Sequence, residues 1–173
     1  HHETDTTPWW LLLLRALAVA AAIVGFAGPI LNPEPRSASD RPLLILLDGT
    51  WADARDWPRR IERVGAALSE AARNDRRAAV VVLTDPPLDA LPFADAASWQ
   101  NRLSGLDPRP YAPDDDRVQA LVEQLGEDGF DTLWLSDGLA RESRAALLSA
   151  LQARGTVSIV ETGRPVYALR PPG

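Results

Sequence analysis

The sequence contains no cysteine, no lysine and no methionine, and its only two histidines are its first two residues. Without cysteine there is no disulfide scaffold, no thiolate zinc site and no cysteine nucleophile. Without lysine there is no Walker-type phosphate loop, no Schiff base and no ammonium to orient a phosphorylated aspartate. Histidines confined to positions 1 and 2 exclude a Ser-His-Asp triad from the rest of the chain. All 18 basic residues are arginines, set against 24 acidic residues for a net charge of −6. They are interspersed with carboxylates, as in Arg55-Asp56 and Arg60-Ile61-Glu62-Arg63, rather than gathered into a stripe. Nucleic acid is therefore not an expected partner. A chain of 173 residues without a methionine, even at its start, is expected to be a segment of a longer protein. His1 and His2 are assigned no function.

The most prominent feature present is an apolar run from Trp9 to Leu31, interrupted only by Arg15. As a helix it would cover about 34 Å at about 1.5 Å per residue, enough for a hydrocarbon core of about 30 Å. Trp9 and Trp10 suit an interfacial aromatic belt, and Arg15 is close enough to that interface to snorkel back to it. Pro8 suits a helix start, while Gly28-Pro29 and Asn32-Pro33 suit a stop. The acidic start and the length of the run argue against a cleaved secretory signal. The expectation is a loop remnant over 1–8, a transmembrane helix over 9–31 in contact with lipid, and a Pro/Ser-rich linker over 32–42.

Beyond the linker, short apolar runs alternate with helical periods. Leu43–Leu47 is a continuous apolar run, as expected of a central parallel strand covered on both faces. Further strands are predicted over 79–83, 132–135 and 156–160, with edge strands over 88–92 and 166–169. Helices are predicted over 57–74, after Asp95 (marked by Trp99, Leu103 and Leu106), at Val118 to Leu125, and over 141–153. Asp114, Asp115 and Asp116 suit the positive N-terminal end of the third of these. The pattern predicts an α/β fold over 43–173, a doubly wound, mostly parallel sheet with helices on both faces. In such sheets ligands sit beyond the carboxyl ends of the strands, and Asp48 and Asp137 each close a strand on that rim. A strand-end Asp also commonly caps the following loop or helix, and Trp51 and Trp57 are expected to pack over the strand ends.

The motif Pro8-Trp9-Trp10-Leu11-Leu12-Leu13-Leu14-Arg15, the ending Ala27-Gly28-Pro29 and the strand closing on Asp48 resemble the bacterial aerotolerance regulator (BatA-type) membrane proteins. Their N-terminal region carries two transmembrane segments, and the chain resembles the second of these together with the domain after it. The domain resembles a von Willebrand factor A domain, a Rossmann-type three-layer sandwich. That family holds Mg²⁺ through D-x-S-x-S after the first strand, a Thr in a later loop and an Asp after the fourth strand, oxygen ligands that suit a hard cation. Asp48-Gly49-Thr50-Trp51-Ala52 keeps the first Asp, has Thr50 for the first Ser and loses the second Ser to Ala52. The loop Arg109–Asp114 has no hydroxyl where the Thr is needed, and Asp137 keeps the last position. Asp48, Thr50 and Asp137 are thus the candidate Mg²⁺ ligands of a degenerate site, with Trp51, Asp114 and Asp115 as candidate residues of a binding rim.

Leu46-Leu47-Asp48-Gly49-Thr50 also resembles the D-x-D-G-T signature of haloacid-dehalogenase-type phosphatases, but Leu46 stands where the nucleophilic Asp belongs. The expected function is a non-catalytic, membrane-anchored protein-interaction module without a cofactor, acting in envelope complex assembly or stress tolerance. Mg²⁺-dependent binding is the alternative, and a phosphatase is disfavoured. The resemblance implies other membrane or envelope proteins as partners, including a MoxR-type AAA+ ATPase system, and location in the bacterial cytoplasmic membrane. Arg36 and Arg41 after the helix lean toward a cytoplasmic domain. An arginine-rich preceding loop, common in the family, implies a periplasmic one, and that is the expectation adopted.

Overall fold

The computed structural model describes residues 9–26 and 39–161. The chain divides into two compact units, His1–Ser37 and Ala38–Gly173. In the first, helix α1 spans Trp9–Phe26, 18 residues. At about 1.5 Å per residue that is about 27 Å, just short of a hydrocarbon core of about 30 Å. Among the described residues, no helix is long and apolar enough to cross a membrane. Residues 27–31, which complete the predicted span, and most of the predicted linker lie outside the described residues, as does the edge strand predicted over 166–169.

The second unit is a three-layer α/β/α domain. Strand β1 is Leu43–Leu47, with the predicted bounds. It is followed by a 3₁₀ helix, Trp51–Asp56, and helix α2, Trp57–Arg73. Then come β2, Arg77–Val82, the two-residue β3, Ala94–Asp95, and the short α3, Ala96–Gln100. Helix α4 is Asp115–Gln124, β4 is Asp131–Ser136, α5 is Ser143–Gln152 and β5 is Val157–Glu161. The sheet order is β3-β2-β1-β4-β5, with β3 alone antiparallel. The chain thus winds outward from β1 in one direction and then, through β4, in the other. The topological switch point falls between the carboxyl ends of β1 and β4.

The alternation of side chains along the strands divides the core in two. Leu44, Leu46, Ala79, Val81 and Trp134 pack under α4 and α5. Ile45, Leu47, Ala78, Val80 and Leu135 pack under α2 and α3. Because β1 is apolar at every position, both of its faces are sealed, which is why a five-residue run without alternation is a strand.

Two elements differ from expectation. The predicted edge strand over 88–92 is absent, and pairing begins only at Ala94, opposite Ala78. Pro86, Pro87 and Pro92 supply no amide donor, so that stretch cannot sustain a ladder. The helix predicted after Asp95 does begin there, but it ends at Gln100 as α3, and Leu103 and Leu106 fall in and after a separate 3₁₀ turn, Leu103–Gly105.

Candidate functional site

The turn after β1 builds the floor of the site. Gly49 has φ +68, and a Cβ there would stand 2.2 Å from Val82 Cγ1, so only glycine fits. This bend lets Thr50 begin the 3₁₀ helix in a capping box. Its hydroxyl accepts from the Ala52 amide (3.3 Å), and the Asp53 carboxylate accepts from the amides of Gly49 (2.8 Å) and Thr50 (3.2 Å). Asp53 is fully buried, and its other oxygen lies 2.8 Å from the Arg60 guanidinium of α2. Arg60 in turn donates to the Ser136 carbonyl at 2.8 Å, fastening α2 to the end of β4.

Asp48, Thr50 and Asp137 do converge at the switch point, all buried. Asp48 accepts from Trp134 Nε1 and from the Asp137 amide, both at 2.8 Å. Asp137 accepts from the Thr50 hydroxyl at 2.7 Å and, closing its own loop, from the Leu139 amide at 3.0 Å. The decisive side chain is Arg141, four residues beyond Asp137 in the loop that leads into α5. Its Nη1 donates to Asp137 Oδ1 at 3.0 Å and its Nη2 to Asp137 Oδ2, while Nη1 also lies 3.6 Å from Asp48 Oδ2. Arg144 adds a second guanidinium, 3.4 Å from Asp48 Oδ2, bonded to the Ser136 hydroxyl and seated over the Trp134 ring at 4.6 Å from its centroid.

This donor set does not fit Mg²⁺. A hard cation needs several free oxygens in octahedral array. Here the two carboxylates are bridged by Arg141, the Thr50 hydroxyl proton points to Asp137, and Ala52 has no side-chain oxygen. Asp114 and Asp115 do not supply the missing ligands. Asp114 caps α4 by accepting from the amides of Asp116 and Arg117, and Asp115 accepts from the Ser143 amide. Thr84, a buried hydroxyl at the end of β2, lies 3.4 Å from the Gly49 carbonyl and was not signalled by the sequence pattern. Trp57 packs as expected, with its indole donating to the Leu106 carbonyl at 2.9 Å. Trp51, at the start of the 3₁₀ helix, is by contrast 43% exposed. The space left among Asp48, Pro113, Trp134, Arg141 and Arg144 admits about one water molecule.

Three carboxylates (Asp48, Asp53, Asp137) thus face three guanidinia (Arg60, Arg141, Arg144). Burial, reinforced by neighbouring Asp137, pushes the Asp48 carboxyl up to about 6. Burial also acts on Asp137, but the hydrogen bonds from Arg141 and its other donors outweigh it and hold that carboxyl well below the usual range. The two have opposite consequences for stability. Asp48 binds a proton more readily folded than unfolded, so its contribution is present below about pH 4 and is lost as pH rises through about 6. Asp137 contributes above the ordinary carboxylate pKa and loses that contribution as pH falls. Unfolding free energy should therefore fall by on the order of 2 kcal/mol from about pH 4.5 to pH 7. Asp48→Asn should flatten that slope in urea titrations followed by tryptophan fluorescence; an unchanged slope would refute the assignment to Asp48.

No curated protein matches the chain. Residues 1–29 match the family model described as BatA, aerotolerance regulator N-terminal. That match ends within the apolar run and before the α/β domain, and it includes the whole Pro8–Arg15 motif. Over those residues the chain is similar to the N-terminal region of BatA-type aerotolerance regulators.

Proposed function

We propose that the chain is a membrane-tethered, non-catalytic interaction module of von Willebrand A type, working in envelope complex assembly or stress tolerance. In it an internal arginine replaces the adhesion-site metal. The observation that carries this reading is Arg141 bridging Asp48 and Asp137 at the switch point of a 3-2-1-4-5 sheet. The rim is then a charge-compensated clamp that fixes the loops around it and needs no ion.

The tether rests on the family match at residues 1–29 and on the surface of α1. Leu12, Leu13, Leu14, Leu17 and Val19 are all exposed, an arrangement costly in water and natural in lipid. The reading places the anchor in the bacterial cytoplasmic membrane, with the domain on the periplasmic side, and takes envelope proteins as partners. A MoxR-type ATPase system is one such partner.

Calorimetry and thermal unfolding of the full chain in nanodiscs test the metal-free reading directly. Millimolar Mg²⁺ should give no binding heat and no shift in unfolding temperature, and a chelator should change neither. Saturable heat with a rise of several degrees would establish the Mg²⁺-dependent alternative, with Asp48, Thr50 and Asp137 as ligands.

A further inference from the structure

The two edges of the sheet are built differently. Strand β3 contributes only Ala94 and Asp95 and closely follows Pro92, so it offers little to a further strand. Strand β5, Val157–Glu161, runs in register with β4 over its whole length, with no proline and no bulge. The Thr132 amide donates to the Thr156 carbonyl at 2.8 Å, which fixes the side on which each residue of β5 bonds. Backbone groups of successive residues point to opposite sides of a strand, so those of Thr156, Ser158 and Val160 address β4. The N–H and C=O groups of Val157, Ile159 and Glu161 point outward, where no strand pairs with them among the described residues. Side chains are uncovered at this edge too. Ile159 is 40% exposed and Val157 and Val160 are half-buried, whereas Trp134, Leu135 and Ser136 on the neighbouring strand are buried. A regular strand with a bare edge is an open template for another.

The sequence supplies a strand within reach. Val166-Tyr167-Ala168-Leu169 follows Glu161 after four residues, Thr162-Gly163-Arg164-Pro165. Four residues suffice for a hairpin but not for the crossover that a parallel strand needs, so pairing with β5 must be antiparallel. Closing the hairpin at Glu161 and Val166 sets Val160 opposite Tyr167, Ile159 opposite Ala168 and Val157 opposite Arg170. In that register the outward groups of β5 meet Val166, Ala168 and Arg170, all of which carry an amide donor. Pro165 and Pro171 fall on the other side, where the ladder needs no donor and a missing N–H blunts the new edge. A slip of one residue in either direction would bring Pro165 or Pro171 into the ladder. Tethering also gives this segment a high effective concentration at the edge, an advantage that a second copy or a partner's strand lacks.

We infer that residues 166–170 dock antiparallel on the outer edge of β5, extending the sheet and withholding that edge from partner strands and from second copies of the chain. The pairing does not depend on the interaction-module reading, and it confines that module's contacts to other surfaces.

A chain without cysteine lets an introduced disulfide report the pairing without background. Val160→Cys with Tyr167→Cys puts two thiols on one face of a non-hydrogen-bonded pair, about 4.5 Å apart at Cα and within disulfide reach. Val160→Cys with Ala168→Cys puts them on opposite faces. Mild oxidation of the full chain in nanodiscs should consume the thiols of the first pair within single chains and leave those of the second free. A disulfide between chains would hand the edge to a second copy, and no disulfide in a folded variant would leave it open to a partner; either result overturns the docking. Amide exchange followed by NMR on the unaltered chain gives an independent reading, decisive where a Cys variant fails to fold. The amides of Ile159 and Ala168 should exchange at least about tenfold more slowly than those of Tyr167 and Leu169, which point away from β5. Equal exchange at Ala168 and Tyr167 would overturn the pairing even where a disulfide forms.

Discussion

Arg141→Met should cost about 3–5 kcal/mol of folding free energy, because it strips the charge from a buried ion cluster and leaves the carboxylates behind. Asp137 loses both of its guanidinium hydrogen bonds, and Asp48 loses a cation 3.6 Å away. Two buried carboxylates that hydrogen-bond one another's loops then face each other with only Arg144 to offset them. Such a pair shares a proton rather than holding two charges, so the loss should be greater near pH 7.5 than near pH 5. Adding Asp137→Asn to the variant removes one of the stranded charges and should recover at least about 1 kcal/mol, a coupling that a double-mutant cycle reads directly. Urea titration at the two pH values supplies every number needed. A loss under about 1 kcal/mol, or one that does not depend on pH, would mean that Arg141 is not the cation that holds this cluster together.

Arg60→Ala should be of similar size, about 3–5 kcal/mol, by the same logic applied to a different loop. Asp53 is fully buried, and its charge is answered at 2.8 Å by Arg60. The truncation also leaves the Ser136 carbonyl without its 2.8 Å donor. Asp53 also accepts from the amides of Gly49 and Thr50, so a carboxylate that shifts to find solvent should loosen that turn. An internal comparison sharpens the point. Arg117 and Asp85 also pair, but at 3.5 Å and about half exposed, so Arg117→Ala should cost under about 0.5 kcal/mol. Comparable losses for the two substitutions would show that burial is not what gives the Arg60 pair its weight.

These predictions concern residues whose importance the sequence did not signal equally. Thr50-Trp51-Ala52-Asp53 forms a capping box in the structure, a role the sequence reading did not assign to Asp53. The competing resemblance to a metal motif drew attention to Thr50 as a ligand, whereas its hydroxyl in fact bonds Asp137. Asp114 stood at a helix start in the sequence and caps one in the structure. Arg141 and Arg144 could not be singled out in the same way. Both sit among exposed residues at the start of a helix, and nothing local distinguishes them from Arg59 or Arg63. Asp48 and Arg144 are 96 residues apart in the chain, so their meeting is set by the order of strands in the sheet.

The sequence alone determined what local physics controls. It specified an apolar run at the N-terminus, a central strand apolar at every position, alternating strands and helices, and two aspartates at strand ends. Each follows from side chains within a few residues of one another, so periodicity and capping chemistry make them visible. Only the tertiary structure decided what those aspartates do. Placing β1 beside β4 brought Asp48 and Asp137 together, and the loop into α5 and the start of that helix then laid Arg141 and Arg144 where the motif led one to expect a cation. A buried carboxylate must be neutralised, and its nearest charge in space, not in sequence, determines how.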